Sequence, residues 1–240
     1  MRIALVSDMH GNAIAFDEVV RELESESFDH IVCLGDVAQG GPQPCEVIDR
    51  LRALGWRCVN GNSDEFLNTL SFEQEPVTER GLAVREWTRK QLGEERLAFL
   101  RTFEPTVELD LDGRRLVCCH ATPVSNEEVI VPETPREELA RALGNADVVA
   151  CGHVHLQWLG RVGRQLWVSI GSAGLAWEHK EPFDEQPFDP WAEYAVLTAE
   201  NGSLRVEFRR VPFDVDAVVD ATRQSGMPFA EQYTAPWLTA

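Results

Sequence analysis

Five short apolar runs in this chain end in side chains that bind metal ions: ALVSDMH, VCLGD, CVNGN, VCCH and VACGHVH. Each run is short and apolar, contains valine, and reads as a strand buried on most of its surface. What constrains the fold is that the polar residues fall at the same end of every run. Sites in open α/β sheets form beyond the carboxyl ends of the strands. Asp8, His10, Asp36, Asn62, His120, His153 and His155 are therefore predicted to meet on one rim.

The strand-like segments are 2–7, 30–34, 57–60, 115–119, 147–151, 165–170, 194–198 and 204–209. Helical periods lie between them. Phe16, Val19, Val20 and Leu23 form one apolar stripe after the Gly11-Asn12 turn. Val47, Ile48, Leu51 and Leu54 form another, with Pro42 and Pro44 at its start and Gly55 as its stop. Further helices are expected over 79–92, 94–102 and 136–143. Alternation early and strand after strand late predict a layered α/β sandwich with mixed sheets. The 240 residues suit one large α/β domain, with two small ones as the alternative. Its core is expected over about 1–210, with a tail at 211–240 and a long acidic loop at 178–190.

The seven converging residues offer carboxylate, carboxamide and imidazole donors. This mixed O/N set suits Mn, Fe, Zn, Co or Ni rather than Ca. Seven donors are too many for one ion and fit two if one carboxylate bridges. Two carboxylates against two divalent ions leave such a site positive, so it attracts phosphate and acidifies a bridging water to a hydroxide nucleophile. Any one of these residues alone reads more readily as structural, whereas five strand-end motifs in one order read as a site.

Composition narrows the partners. With 22 basic against 40 acidic residues, the formal charge is −18, which disfavours non-specific binding to nucleic acid or anionic lipid. The acidity itself reads as a solvated surface. The apolar stretch at the N-terminus is too short for a secretion signal, and no stretch reaches the length of a membrane span, so a cytoplasmic location is expected. The six cysteines contain no C-x-x-C pair, and Cys33, Cys118, Cys119 and Cys151 sit in apolar runs, where buried free thiols are expected.

The ordered set SDMHGN, LGDVAQGGPQPCEVIDRL, NGNSDEF, CCHATP and CGHVH resembles the calcineurin-like metallophosphoesterase superfamily, and within it the compact phosphodiesterase-like branch of bacteria and archaea. The likeness runs over about 2–198. It implies a four-layer αββα sandwich of two mixed β-sheets flanked by helices, holding two divalent transition-metal ions (Mn²⁺, Fe²⁺, Zn²⁺, Ni²⁺ or Co²⁺). It assigns Asp8, His10 and His155 to one ion and Asn62, His120 and His153 to the other, with Asp36 bridging. The implied activity is hydrolysis of phosphodiesters or activated phosphomonoesters, on a small phosphate-ester or nucleotide substrate, with His120 and Asn62 also contacting it. A dinucleoside-polyphosphate hydrolase, a protein phosphatase and a non-catalytic metal-binding scaffold are the alternatives.

Departures from the family pattern sharpen this. Relatives carry a candidate acid histidine where this chain has Ser63, so Asp64 or a water on the metal becomes the candidate proton donor, with His179 further away. The protein phosphatases carry Asp-Arg-Gly after the bridging aspartate. Here Ala38-Gln39-Gly40-Gly41 follows, which weakens that reading. Asn12 is expected as a helix N-cap rather than a substrate contact. Trp158, Trp167, Trp177 and Trp191 are expected in packing rather than in stacking on a substrate.

Overall fold

The computed structural model describes residues 1–69, 78–177 and 187–238. In the first sheet β1 (Arg2–Val6), β2 (His30–Cys33) and β3 (Arg57–Cys58) run parallel. The hairpin of β9 (Trp191–Glu200) and β10 (Ser203–Pro212) adds antiparallel strands on the β1 side, giving the order β10-β9-β1-β2-β3. The second sheet contains β4 (Val107–Asp110), β5 (Arg115–Cys118), β6 (Val148–Cys151), β7 (Gln157–Val162) and β8 (Gln165–Ile170), in the order β4-β5-β6-β8-β7. Its central β5, β6 and β8 are parallel and its two edges antiparallel.

Strand side chains alternate between faces, and that alternation assigns the layers. Ile3 and Leu5 enter a core shared with Leu116, Cys118, Val148, Ala150, Val168 and Ile170, so the two sheets pack face to face. Ala4 and Val6 face the other way, into a core filled by α1 (Ala13–Glu24), α2 (Pro44–Leu54) and α4 (Glu79–Leu100). On the second sheet Val117, Cys119, Val149 and Trp167 meet Leu139, Ala142 and Leu143 of α5 (Arg136–Leu143). The result is the αββα sandwich. A one-residue slip of β1 would exchange its two faces, so the register is set by burial on both sides.

The local signals act as expected in most places. Asn12 caps α1, its Oδ1 accepting from the Ala15 N–H at 3.1 Å, and Gly55 closes α2 in the left-handed region. Gly93, at φ 61° and ψ 179°, breaks α4 between the two expected helices. All six cysteines are free thiols. Trp167 is fully buried 6.4 Å from Trp158.

The differences lie at the margins. β4 and β7 were not expected, because as edge strands they place polar residues between the apolar ones and so contain no continuous apolar run. The short α3 (Asn62–Thr69) starts inside a ligand motif that reads as a loop. The tail beyond residue 211 is no loose extension. It forms α6 (Val215–Gln224) and α7 (Ala230–Leu238), whose Val218, Val219 and Trp237 pack on Ile14, Leu175 and Phe188. In the long loop expected at 178–190, residues 178–186, His179 among them, lie outside the described residues. No described helix is long and apolar enough to cross a membrane.

Candidate metal centre

Both sheets present the carboxyl ends of their parallel strands at one rim. The chain leaving β1 carries Asp8 and His10, that leaving β2 carries Asp36, and Asn62 follows β3. From the second sheet, β5 leads to His120 and β6 to His153 and His155. The loops after β1 and β2 continue as a ladder, with Asp8 N–H donating to Gly35 O at 2.9 Å and His10 N–H to Asp36 O at 3.0 Å. Asp8, His10, Asp36, His153 and His155 all have positive φ, between 48° and 68°. Non-glycine residues held there cost on the order of 1–3 kcal/mol each and persist only where the surroundings over-determine them.

Among the described residues two groups of donors lie close enough to hold a metal ion: Asp8, His10 and His155, and Asp8, Asp36 and His120. Asn62 Oδ1 is 2.9 Å from His120 Nε2. His153 joins neither group through its ring. That ring lies 5.1 Å from the His120 ring, and its backbone N–H donates to Asp8 Oδ2 at 3.0 Å. Asp36 stands between the groups, with Oδ2 3.7 Å from His10 Nε2 and Oδ1 3.5 Å from His120 Nε2.

The tautomers follow from the hydrogen bonds. A backbone carbonyl only accepts, so a ring nitrogen beside one must carry hydrogen. His10 Nδ1 donates to Gln39 O at 2.7 Å, His120 Nδ1 to Leu34 O at 2.8 Å and His155 Nδ1 to Leu175 O at 2.9 Å. In each neutral ring Nε2 is then a bare lone pair turned into the site. His153 is tied the other way, donating from Nε2 to Glu127 O at 3.1 Å, which leaves its Nδ1 bare. His10 Nε2 and His155 Nε2 face each other at 3.0 Å. Two opposed lone pairs at that distance repel unless a proton or a metal cation lies between them. Asp8 Oδ1 is buried with no hydrogen-bond partner among the described residues. This arrangement of donors fits a cation, with carbonyls behind the imidazoles fixing their orientation.

The electrostatics divide the four imidazoles. Burial opposes the charge on Asp8, but His155, His120 and His10 together hold its carboxyl below the ordinary range. Burial and His155 push His10 down, and burial and His120 push His153 down. His155 and His120 resist burial and are raised by Asp8 and Asp36. Bound cations favour the deprotonated, ligating form of every one of these groups.

Behind the donors sits a second set of contacts. Ser63 donates from N to Asp36 Oδ1 at 2.9 Å and from Oγ to Asp36 Oδ2 at 2.8 Å, fixing both carboxylate oxygens. Asp64 is fully buried and accepts from the N–H groups of Asp36, Val37 and Gly61 at 2.8, 3.1 and 3.1 Å. Burial, aided by Asp36, pushes its carboxyl up to about 7. Ser172 Oγ donates to Asp8 O at 2.8 Å from the end of β8. Nothing in the residue pattern announces these roles for Ser63, Ser172 or the Glu127 carbonyl. Two glycines make room for the carboxylates: a Cβ on Gly152 would fall 2.2 Å from Asp8 Oδ2, and one on Gly61 would fall 2.1 Å from Asp36 Oδ1.

Residues 1–200 match the family model for the calcineurin-like phosphoesterase superfamily domain. An uncharacterised protein of Methanocaldococcus jannaschii is 24% identical over 233 residues, covering 94% of this chain and 93% of its own length. The crystal structure of a metallophosphoesterase from Sphaerobacter thermophilus superposes with a TM-score of 0.76 at 23% identity, over 98% of this chain and 99% of that one. A hypothetical protein from Pyrococcus horikoshii OT3 superposes with a TM-score of 0.84 at 17% identity, over 98% and 97% of the two chains.

Proposed function

The chain belongs to the calcineurin-like phosphoesterase superfamily, and from that premise we propose that it is a two-metal hydrolase of phosphodiesters or of phosphomonoesters with good leaving groups. Its ions are divalent transition metals, drawn from Mn²⁺, Fe²⁺, Zn²⁺, Ni²⁺ and Co²⁺. Asp8, His10 and His155 would hold one, Asn62, His120 and His153 would hold the other, and Asp36 would serve both. The observation that carries this reading is the opposed pair of bare imidazole nitrogens, His10 Nε2 and His155 Nε2 at 3.0 Å, beside an unbonded Asp8 oxygen. The relative from Sphaerobacter thermophilus is itself called a metallophosphoesterase. A scaffold without catalysis would be expected to have lost a donor, and all seven positions keep theirs.

When bound, the ions supply Lewis-acid chemistry: they acidify water and neutralise the non-bridging phosphate oxygens. The protein's own part is placement. The carbonyls of Gln39, Leu34 and Leu175 keep three imidazoles in the ligating tautomer. Ser63 aims both oxygens of Asp36, one toward His10 and the other toward His120. His120, from the second sheet, and Asn62, after β3 of the first, would also contact the substrate phosphate. We assign Asp64 to positioning, since its oxygens accept three backbone N–H groups of the loops that carry Asp36 and Gly61. The substrate is a small phosphate ester or nucleotide in the cytoplasm.

The test is metal content and turnover together. Chelator-treated protein should fail to hydrolyse bis(p-nitrophenyl) phosphate, and Mn²⁺, Ni²⁺, Co²⁺ or Zn²⁺ should restore activity at about two ions per chain. Undiminished turnover after exhaustive chelation, or full activity with one equivalent, would sink the two-metal reading.

A further inference from the structure

A cavity of about 630 Å³ opens beside His120, which is the one residue of the seven donors that lines it. Ligand pockets usually measure roughly 300–1,000 Å³ and combine an apolar lining with a few fixed polar groups. This cavity has that character. Leu100 and Phe103 are buried beneath it, and Val124, 84% exposed, stands at its mouth as an uncovered apolar side chain. Asn60 and Asn126 supply amide edges. The Asn60 side chain makes no hydrogen bond among the described residues, and Asn126 Nδ2 donates to Glu65 Oε2 at 2.7 Å.

The charges in the cavity decide what it takes. Among the described residues that line it, Arg101 is the one cation, and its guanidinium is already paired with Glu94. Glu65 leaves the lining with no surplus positive charge. A substituent carrying further phosphates would meet no free cation among the described residues there, whereas an uncharged group with an apolar face and a hydrogen-bonding edge would meet both surfaces it needs. The cavity is also wired to the metal centre. Its wall continues as the loop after β5, and Glu127 of that loop accepts the His153 Nε2–H at 3.1 Å.

We propose that this cavity is the subsite for a nucleoside substituent joined through a single phosphate, and that Asn60 and Asn126 determine specificity for it. The inference rests on the phosphoesterase reading above and names the substrate class of that site. It also separates the chain from hydrolases of polyphosphate-bridged substrates, whose additional phosphates call for cationic side chains.

The experiment compares two diesters with one leaving group, thymidine 5′-(p-nitrophenyl phosphate) and methyl p-nitrophenyl phosphate, on the metal-loaded protein. Wild type should favour the thymidine ester in kcat/KM by at least about tenfold, the discrimination a filled pocket typically gives. Asn126→Trp, which fills the cavity, should remove most of that preference. Val124→Trp, at a side chain 84% exposed and so safe for folding, should act in the same direction. Turnover of the methyl ester without preference for thymidine, or equal losses on both esters in both variants, would overturn the nucleoside assignment and leave the phosphoesterase reading intact. Turnover of neither ester by wild type would overturn both.

Discussion

The two ends of the same strands treat backbone strain in opposite ways. At the amino ends of the central strands the hairpin turns fall to residues that enter the left-handed region cheaply: Asp112 and Gly113 between β4 and β5, Gly163 between β7 and β8, Asn201 and Gly202 between β9 and β10. At the carboxyl ends the same region is occupied by Asp8, His10, Asp36, His153 and His155. Three of these five are histidines, which gain nothing conformationally from being there. A turn whose only task is to reverse the chain relaxes to Gly, Asn or Asp. A turn that must aim a donor keeps the donor and the strain together, and the loop ladder from Asp8 N to Gly35 O and from His10 N to Asp36 O holds it in place.

The largest effect should come from carrying the same substitution to both ends. A Cβ at Gly152 would lie 2.1 Å from Ser7 Oγ and 2.2 Å from Asp8 Oδ2, whereas one at Gly163 meets nothing within 4 Å. Gly152→Ala should displace Asp8 and lower metal-dependent turnover by about a hundredfold or more, as ångström-scale misplacement does. Gly163→Ala, at φ 61°, should cost about 1 kcal/mol of stability and leave turnover unchanged. Steady-state kinetics and thermal melts of the two variants decide it. Equal loss of activity would mean that the two ends do not differ in function.

Next in size is the contrast between donors. Asp36 touches imidazoles of both groups, while His120 belongs to one. Asp36→Asn should weaken binding of both ions and His120→Ala mainly one, read by titrating metal content per chain. An Asp36→Asn protein that keeps about two ions with unchanged affinity rules out the bridge. A smaller effect is expected one step back from the donors. Ser63→Ala removes a hydrogen bond to a charged carboxylate, worth about 1.5–3 kcal/mol, so metal affinity should fall by about tenfold to a hundredfold while the fold persists. If affinity is unmoved, the Ser63 Oγ contact at 2.8 Å does not orient Asp36.

These tests concern a site of which one part was legible in the residues and another was not. The candidate donors stand out in the sequence because each follows an apolar strand with a residue type that a buried strand end has no packing reason to contain. The sandwich was readable because near-continuous apolar runs imply burial on both faces. Edge strands escape such reading: β7, with Gln157, Trp158 and Arg161, has no run and no clean alternation. The helices of the tail were missed for a related reason. In α6 the apolar stripe is short, Val215, Val218 and Val219 covering little more than one turn, and in α7 Pro236 inside the helix argues against one. The contacts that orient the imidazoles were illegible because they run to backbone atoms. The Leu34, Leu175 and Glu127 carbonyls that set the imidazole tautomers could have belonged to any residue type, and only the fold brings them there.

The smallest predicted effect isolates the strain itself. His155 has φ 54° and lies between a donor role and a backbone penalty. Replacing it by Ala removes the imidazole and keeps the penalty; replacing it by Gly removes both. The two variants lose the same lone pair opposite His10 and the same hydrogen bond to Leu175 O, so their difference reports the backbone alone. In the presence of chelator His155→Gly should be more stable than His155→Ala by about 1 kcal/mol, the left-handed penalty less the extra chain entropy of unfolded glycine. For a chain of this size that is a shift in Tm of roughly 2–4 °C. The same pair of substitutions at Val149, inside β6 where the backbone is extended, should reverse the order, with Gly the less stable by about 0.5–1 kcal/mol. If Ala is the more stable at both positions, the left-handed backbone at His155 carries no stored strain, and the contrast between the two strand ends is one of composition only.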